Sequence, residues 1–123
     1  MVAFGRMVTF ANQVADEIKR EGVSVTVIDP RTTSPLDTET ILDSVAETGR
    51  LVVVDESHPR CSMAADIARL VAEEAFSDLK APIKTVTAPH TPVPFSPSLE
   101  DIYIPNPAKI RAAVLAVTRG RAA

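Results

Sequence analysis

The 123 residues suffice to close one hydrophobic core and leave little room for a second, so a single domain is expected. Thirteen basic against sixteen acidic residues give a net charge of -3 with no basic cluster, which excludes a nucleic-acid backbone as a partner. A hydrophobic share of 46% with 4% aromatics fits an α/β domain built on Val, Ile, Leu and Ala and excludes a disordered chain.

No apolar run approaches a membrane span, Leu51–Val54 being typical, and no charged and apolar leader opens the chain. Cys61 has no partner for an internal disulfide, and His58 and His90 lie too far apart in sequence to form a metal-ligand motif. A cytoplasmic, metal-free protein is expected. The opening "MVAFGR" enters a strand-like run at residue 2, which reads as a piece cut from a longer chain.

Val2–Phe4 predicts a short strand ended by Gly5. From Met7 to Glu21 the spacing of Val8, Ala11, Val14, Ala15 and Ile18 predicts a helix, with Gly22 at its C-terminal cap. Val23–Ile28 is β-branched and partly alternating, a second strand that Pro30 stops. Asp37 is placed to cap a helix whose buried face is Ile41, Leu42 and Val45, and Gly49 ends it. Leu51–Val54 is the continuous apolar run of a strand covered on both faces.

Ser62 is placed to cap a helix from Met63 whose stripe is Ile67, Leu70, Val71 and Phe76. After Pro82, Ile83–Thr87 predicts a fourth strand. Ala88–Pro105 holds Pro89, Pro92, Pro94, Pro97 and Pro105, too many for regular structure, and Asn106-Pro107 opens a last helix carrying Ile110, Val114 and Val117. Residues 1–119 form the expected domain and 120–123 a tail. The alternation implies a three-layer α/β/α fold with a mainly parallel sheet of four strands, in the order 2-1-3-4.

In this arrangement "DESHPRCS", Asp55–Ser62, is a strand-to-helix loop at the C-terminal edge of the sheet, where ligands of such folds bind. A Ser-His-acid triad needs three converging side chains, whereas Ser57 and His58 are neighbours, and no G-x-S-x-G elbow exists. Cys61 lies near a helix start that favours a thiolate, with His58 and Arg60 close by, against the plainer reading of a small packing residue. Gly5-Arg6-Met7-Val8-Thr9-Phe10 keeps only the first glycine of a dinucleotide-binding turn. Asp55 stands where a receiver domain has its acceptor aspartate, but the acidic pair that would hold Mg2+ is replaced by Phe4-Gly5-Arg6.

Gly5-Arg6-Met7-Val8, Val25–Asp29 followed by Pro30-Arg31-Thr32-Thr33-Ser34-Pro35-Leu36-Asp37, and Thr48–Glu56 together resemble the transketolase C-terminal-like domain of β subunits of thiamine-diphosphate-dependent 2-oxoacid dehydrogenases. Ala65-Asp66-Ile67, Ala81-Pro82 and Pro92–Pro105 continue the match in order, covering nearly the whole chain. Within that family "DESHPRCSMAAD" and "PHTPVPFSPSLEDIYIP" are most similar to acetoin dehydrogenase β subunits, with pyruvate and branched-chain 2-oxoacid enzymes close behind. Family members carry glycines where this chain has Cys61-Ser62-Met63-Ala64.

The resemblance implies an upstream pyrimidine-binding domain and an edge strand that this chain lacks. It further implies thiamine diphosphate and Mg2+ in the full enzyme, with no catalytic, cofactor or metal residue in this segment, which by itself is inactive. The implied partners are an α subunit and a second β subunit in an α2β2 assembly, and a dihydrolipoyl acyltransferase. Arg31, His58 and Arg60 are the residues implied at a subunit interface or channel, and Asp78 and Lys80 those at acyltransferase docking, with Lys80 reversing the sign usual in the family. The competing expectation is an independent flavodoxin-like domain that binds a small ligand, or regulates, at the strand-end edge.

Overall fold

The computed structural model describes residues 1–119, so the expected tail 120–123 lies outside the described residues. Three parallel strands, β1 (Val2–Ala3), β2 (Val52–Val54) and β3 (Lys84–Val86), form a sheet in the order β1-β2-β3. Val53 stands opposite Val2 on one side and Thr85 on the other. The helices are α1 (Met7–Lys19), α2 (Thr38–Thr48), α3 (Met63–Glu74), α4 (Pro97–Tyr103) and α5 (Pro107–Thr118).

Period-two alternation along the strands divides the core into two layers. Ala3, Val52, Val54 and Val86 point to one face, where Met7, Ala11, Val14 and Ile18 of α1 meet Ile110, Val114 and Val117 of α5. Val2 and Val53 point to the other, against Ile41 and Val45 of α2 and Ala64, Ile67 and Val71 of α3. A strand covered on both sides must be apolar at every position, which is why β2 reads Val-Val-Val without alternation. The three-layer α/β/α class expected from sequence is the observed one.

The helix ends follow their cap residues. Asp37 accepts from the Thr40 N–H at 3.1 Å, Ser62 from Ala65 at 3.2 Å and Asn106 from Lys109 at 3.0 Å, each satisfying an N–H that the helix leaves free. Gly49 closes α2 at φ +70. The carbonyls at two helix C-termini find a shared donor in Arg50, whose Nε donates to Val117 O at 2.8 Å and whose guanidinium also donates to Thr48 O at 3.1 Å.

Three expectations are corrected. The sheet has three strands rather than four, because Val23–Ile28 is reduced to a single parallel bridge, Val2 to Ile28. The Ile28 N–H donates to Met1 O, the Ala3 N–H to Ile28 O and the Met1 amine to Thr26 O, and β1 supplies no further pairing groups to residues 23–27. The segment thus lies beside β1 without building a ladder. Phe76 is not part of the α3 stripe: the helix stops at Glu74, a 3-10 turn covers Phe76–Asp78, and Phe76 is 74% exposed. The proline-rich segment is not wholly irregular either, for it contains α4, which Pro97 can open because the first turn of a helix needs no N–H from that residue.

Candidate functional site

Parallel strands bring the loops after β1, β2 and β3 to one edge of the sheet, together with Pro30-Arg31. The central loop is Asp55–Ser62. Asp55 is buried directly after β2, with one carboxylate oxygen accepting from the Ser57 N–H at 3.0 Å and the other from the Ala64 N–H at 3.3 Å. Together with the Ser62 cap, this acid folds the loop back onto the start of α3. Both its oxygens are turned on the backbone, which does not suit a phosphate-accepting aspartate.

His58 is half-buried, with Nε2 3.0 Å from the Tyr103 hydroxyl and 3.2 Å from Thr91 O. Its ring meets that of His90 edge-on, with centroids 5.2 Å apart. The acid and the imidazole of "DESHPRCS" therefore face different partners, and the alignment a triad needs does not form. Cys61 is exposed and sits at φ +50, in the left-handed region that favours glycine. A glycine would meet that backbone requirement without the steric cost that a Cβ brings.

The other expected site residues lie apart from this cluster. Arg31 is exposed, its Nε 3.2 Å from Asp29 Oδ2, and Arg60 is exposed on the loop itself. Asp78 and Lys80 are exposed after α3, where Ala72, Phe76, Leu79, Lys80 and Ile83 border a shallow groove. The Lys80 N–H donates to Gly49 O at 2.8 Å and its aliphatic stem lies over Gly49, which anchors this surface to the end of α2.

A cleft of about 380 Å³ lies at the opposite edge of the sheet, with Val52, Val114 and Val117 at its floor and Ser44, Thr48 and Arg50 at its rim. Met1 also lines it. This cleft is remote from the polar strand-end loops, so depth and chemistry do not coincide as they do in an ordinary small-molecule site.

Among the described residues no group of three or more His, Cys, Asp or Glu is placed to hold a metal ion. The chain also has no Gly-Asp-Gly sequence. Sequence reasoning missed Tyr103 and Thr91 as the partners of His58, since nothing in the spacing of residues 58, 91 and 103 signals that they meet. Arg50 carried no signal beyond its place after Gly49.

The family "Transketolase, C-terminal domain" matches residues 1–110. The chain is 52% identical over 120 residues to the acetoin:2,6-dichlorophenolindophenol oxidoreductase subunit beta of Cupriavidus necator, covering 98% of this chain and 36% of that protein. It is 50% identical to the same-named subunit of Bacillus subtilis, over 94% of this chain and 34% of that protein. The pyruvate dehydrogenase E1 component subunit beta of Rhizobium meliloti is 41% identical over 95% of this chain and 25% of that protein. The chain thus spans about a third or less of the length of these relatives. In fold it is similar to a solved structure titled "Split gene transketolase, inactive beta4 tetramer", with a TM-score of 0.81 at 24% identity, over 96% of this chain and 37% of that one. With the match running through both core layers and every strand, the chain belongs to the transketolase C-terminal domain family.

Proposed function

We propose that the chain is the assembly domain of the β subunit of a thiamine-diphosphate-dependent dehydrogenase that acts on acetoin or a 2-oxoacid and passes the acyl group to lipoamide. The observation that carries this reading is the 52% identity to an acetoin oxidoreductase subunit beta along 98% of the chain. It is joined by a strand-end edge whose acid and histidine are used to hold loops rather than aligned for chemistry. The domain contributes subunit contacts, while thiamine diphosphate and Mg2+ are held by other parts of the enzyme.

In this reading the partners are an α subunit, a second β subunit and the dihydrolipoyl acyltransferase, in the cytoplasm. Arg31, His58 and Arg60 face a neighbouring subunit or the approach of the lipoyl group, which suits cations and an imidazole at one open edge. Asp78 and Lys80 meet the acyltransferase beside the apolar groove at Phe76. No helix among the described residues is long and apolar enough to cross a membrane.

The test is acyl transfer to lipoamide by matched α and β subunits, with and without the segment corresponding to residues 1–119 in the β chain. Loss of transfer on removing the segment is the expected outcome, and transfer at the undiminished rate would contradict the proposal.

A further inference from the structure

We propose that His58 is the positioning residue of a latch that clamps the proline-rich segment 89–103 onto the strand-end loop. This inference stands on the geometry of the chain and does not depend on the proposed enzyme. Three polar atoms meet at the latch: His58 Nε2, the Tyr103 hydroxyl and Thr91 O. Nε2 is 3.0 Å from the hydroxyl and 3.2 Å from the carbonyl, and the hydroxyl donates to the same carbonyl at 3.0 Å.

Of the two neutral tautomers, only the one with its hydrogen on Nε2 makes all three contacts hydrogen bonds, with the hydroxyl hydrogen on Thr91 O and the Nε2–H shared between the hydroxyl oxygen and the carbonyl, and the latch takes this form. A ring protonated only on Nδ1 would turn a lone pair toward the Thr91 carbonyl, which has no hydrogen to offer.

Besides the latch, the segment is held by Lys109 Nζ, which donates to Ile102 O at 3.4 Å, and by the His90 ring edge-on against His58. Ala88, Tyr103 and Ile104 form an apolar cluster of their own, separate from both layers of the main core. The Ala88 N–H donates to Ser57 O at 3.1 Å, which fixes the residue just before the segment. Thr91 near one end and Tyr103 at the other are both tied to His58, so one side chain closes the segment into a loop. What the loop carries is an exposed apolar ridge: Val93 is 63% exposed, Phe95 102%, Leu99 55% and Ile102 71%. His58 thereby sets where that ridge stands relative to the sheet.

Hydrogen exchange at the amides of Thr91, Glu100 and Ile104, measured on the full chain, tests the latch. In His58→Leu their exchange should accelerate about fivefold or more, the effect of a lost hydrogen bond. His58→Gln, whose amide N–H takes the place of Nε2–H, should restore the slow rate, and Tyr103→Phe should fall between. Amides of β2 should be unchanged in all three. Unchanged exchange at Thr91, Glu100 and Ile104 in His58→Leu, or no rescue by glutamine, would overturn the proposal. Nitrogen NMR of the unaltered chain gives an independent reading at a pH where the ring is neutral: a hydrogen on Nε2 is expected, and a hydrogen on Nδ1 would overturn the latch even if a variant failed to fold.

Discussion

Asp37, Asp55 and Glu21 show how differently one charge type is used along this chain. Asp37 and Asp55 accept from backbone N–H groups and so organise the starts of α2 and α3. The Asp37 carboxyl is held below its ordinary value, first by the Thr40 hydroxyl and then by the Thr40 N–H. Glu21, after α1, instead receives Arg111 of α5 and, at 3.1 Å, Arg119. The Arg111 hydrogen bond is the largest cause that lowers its carboxyl below 4.5, with the charges of both arginines adding to it. A carboxyl depressed in the folded state favours folding above its unfolded value, and that contribution fades as pH falls through the folded value. Urea unfolding should show Glu21→Gln slightly less stable than the parent at pH 7, with the gap closing below pH 4.5 and shrinking in high salt. A gap that persists unchanged at low pH would show that the effect is not ionic.

The elements divide into those that one residue specifies and those that only the assembled fold decides. Gly49 belongs to the first kind. It ends α2 at φ +70, and a Cβ there would stand 2.6 Å from Lys80 Cδ and 3.0 Å from the Asp78 carbonyl. Gly49→Ala should therefore destabilise the chain by at least about 1 kcal/mol, from the backbone strain alone, and should displace the Asp78–Lys80 surface. Calorimetry measures the first effect and amide shifts at residues 78–80 the second. An unchanged melting temperature would refute this packing.

Legibility in the sequence follows the same division. Asp37, Ser62 and Asn106 marked the helix starts because a cap acts within four residues, and the stripes of α1 and α5 survive because each packs one face on the sheet. The strand propensity of Val23–Ile28 did not yield a ladder, since a ladder also needs a partner of matching length. Exposed Phe76 and the helix inside the proline segment were equally hidden, one because the turn after Glu74 redirects the chain, the other because Pro97 opens a helix as readily as it ends one. The His58 cluster joins residues 33 and 45 positions apart, and no local pattern encodes that meeting.

For the whole molecule, the division of labour is between a sheet covered on both faces and an open edge of loops. The two core layers bury the apolar residues of every strand. The edge keeps charged and apolar groups outward, Arg31, Arg60 and Phe95 among them, while Phe76 and Lys80 are exposed at the far end of α3, ahead of β3. Exposed apolar and charged groups at such an edge are the surface that the proposed assembly role would use. The proposed function makes residues 1–119 an assembly domain of a dehydrogenase β subunit. The most direct measurement is sedimentation velocity of a chimera in which they replace the matching segment of the Cupriavidus necator β subunit, mixed with that organism's α subunit. A folded chimera is expected to sediment as the same α–β assembly as the natural β subunit; a folded chimera that sediments apart from α would contradict the proposed function.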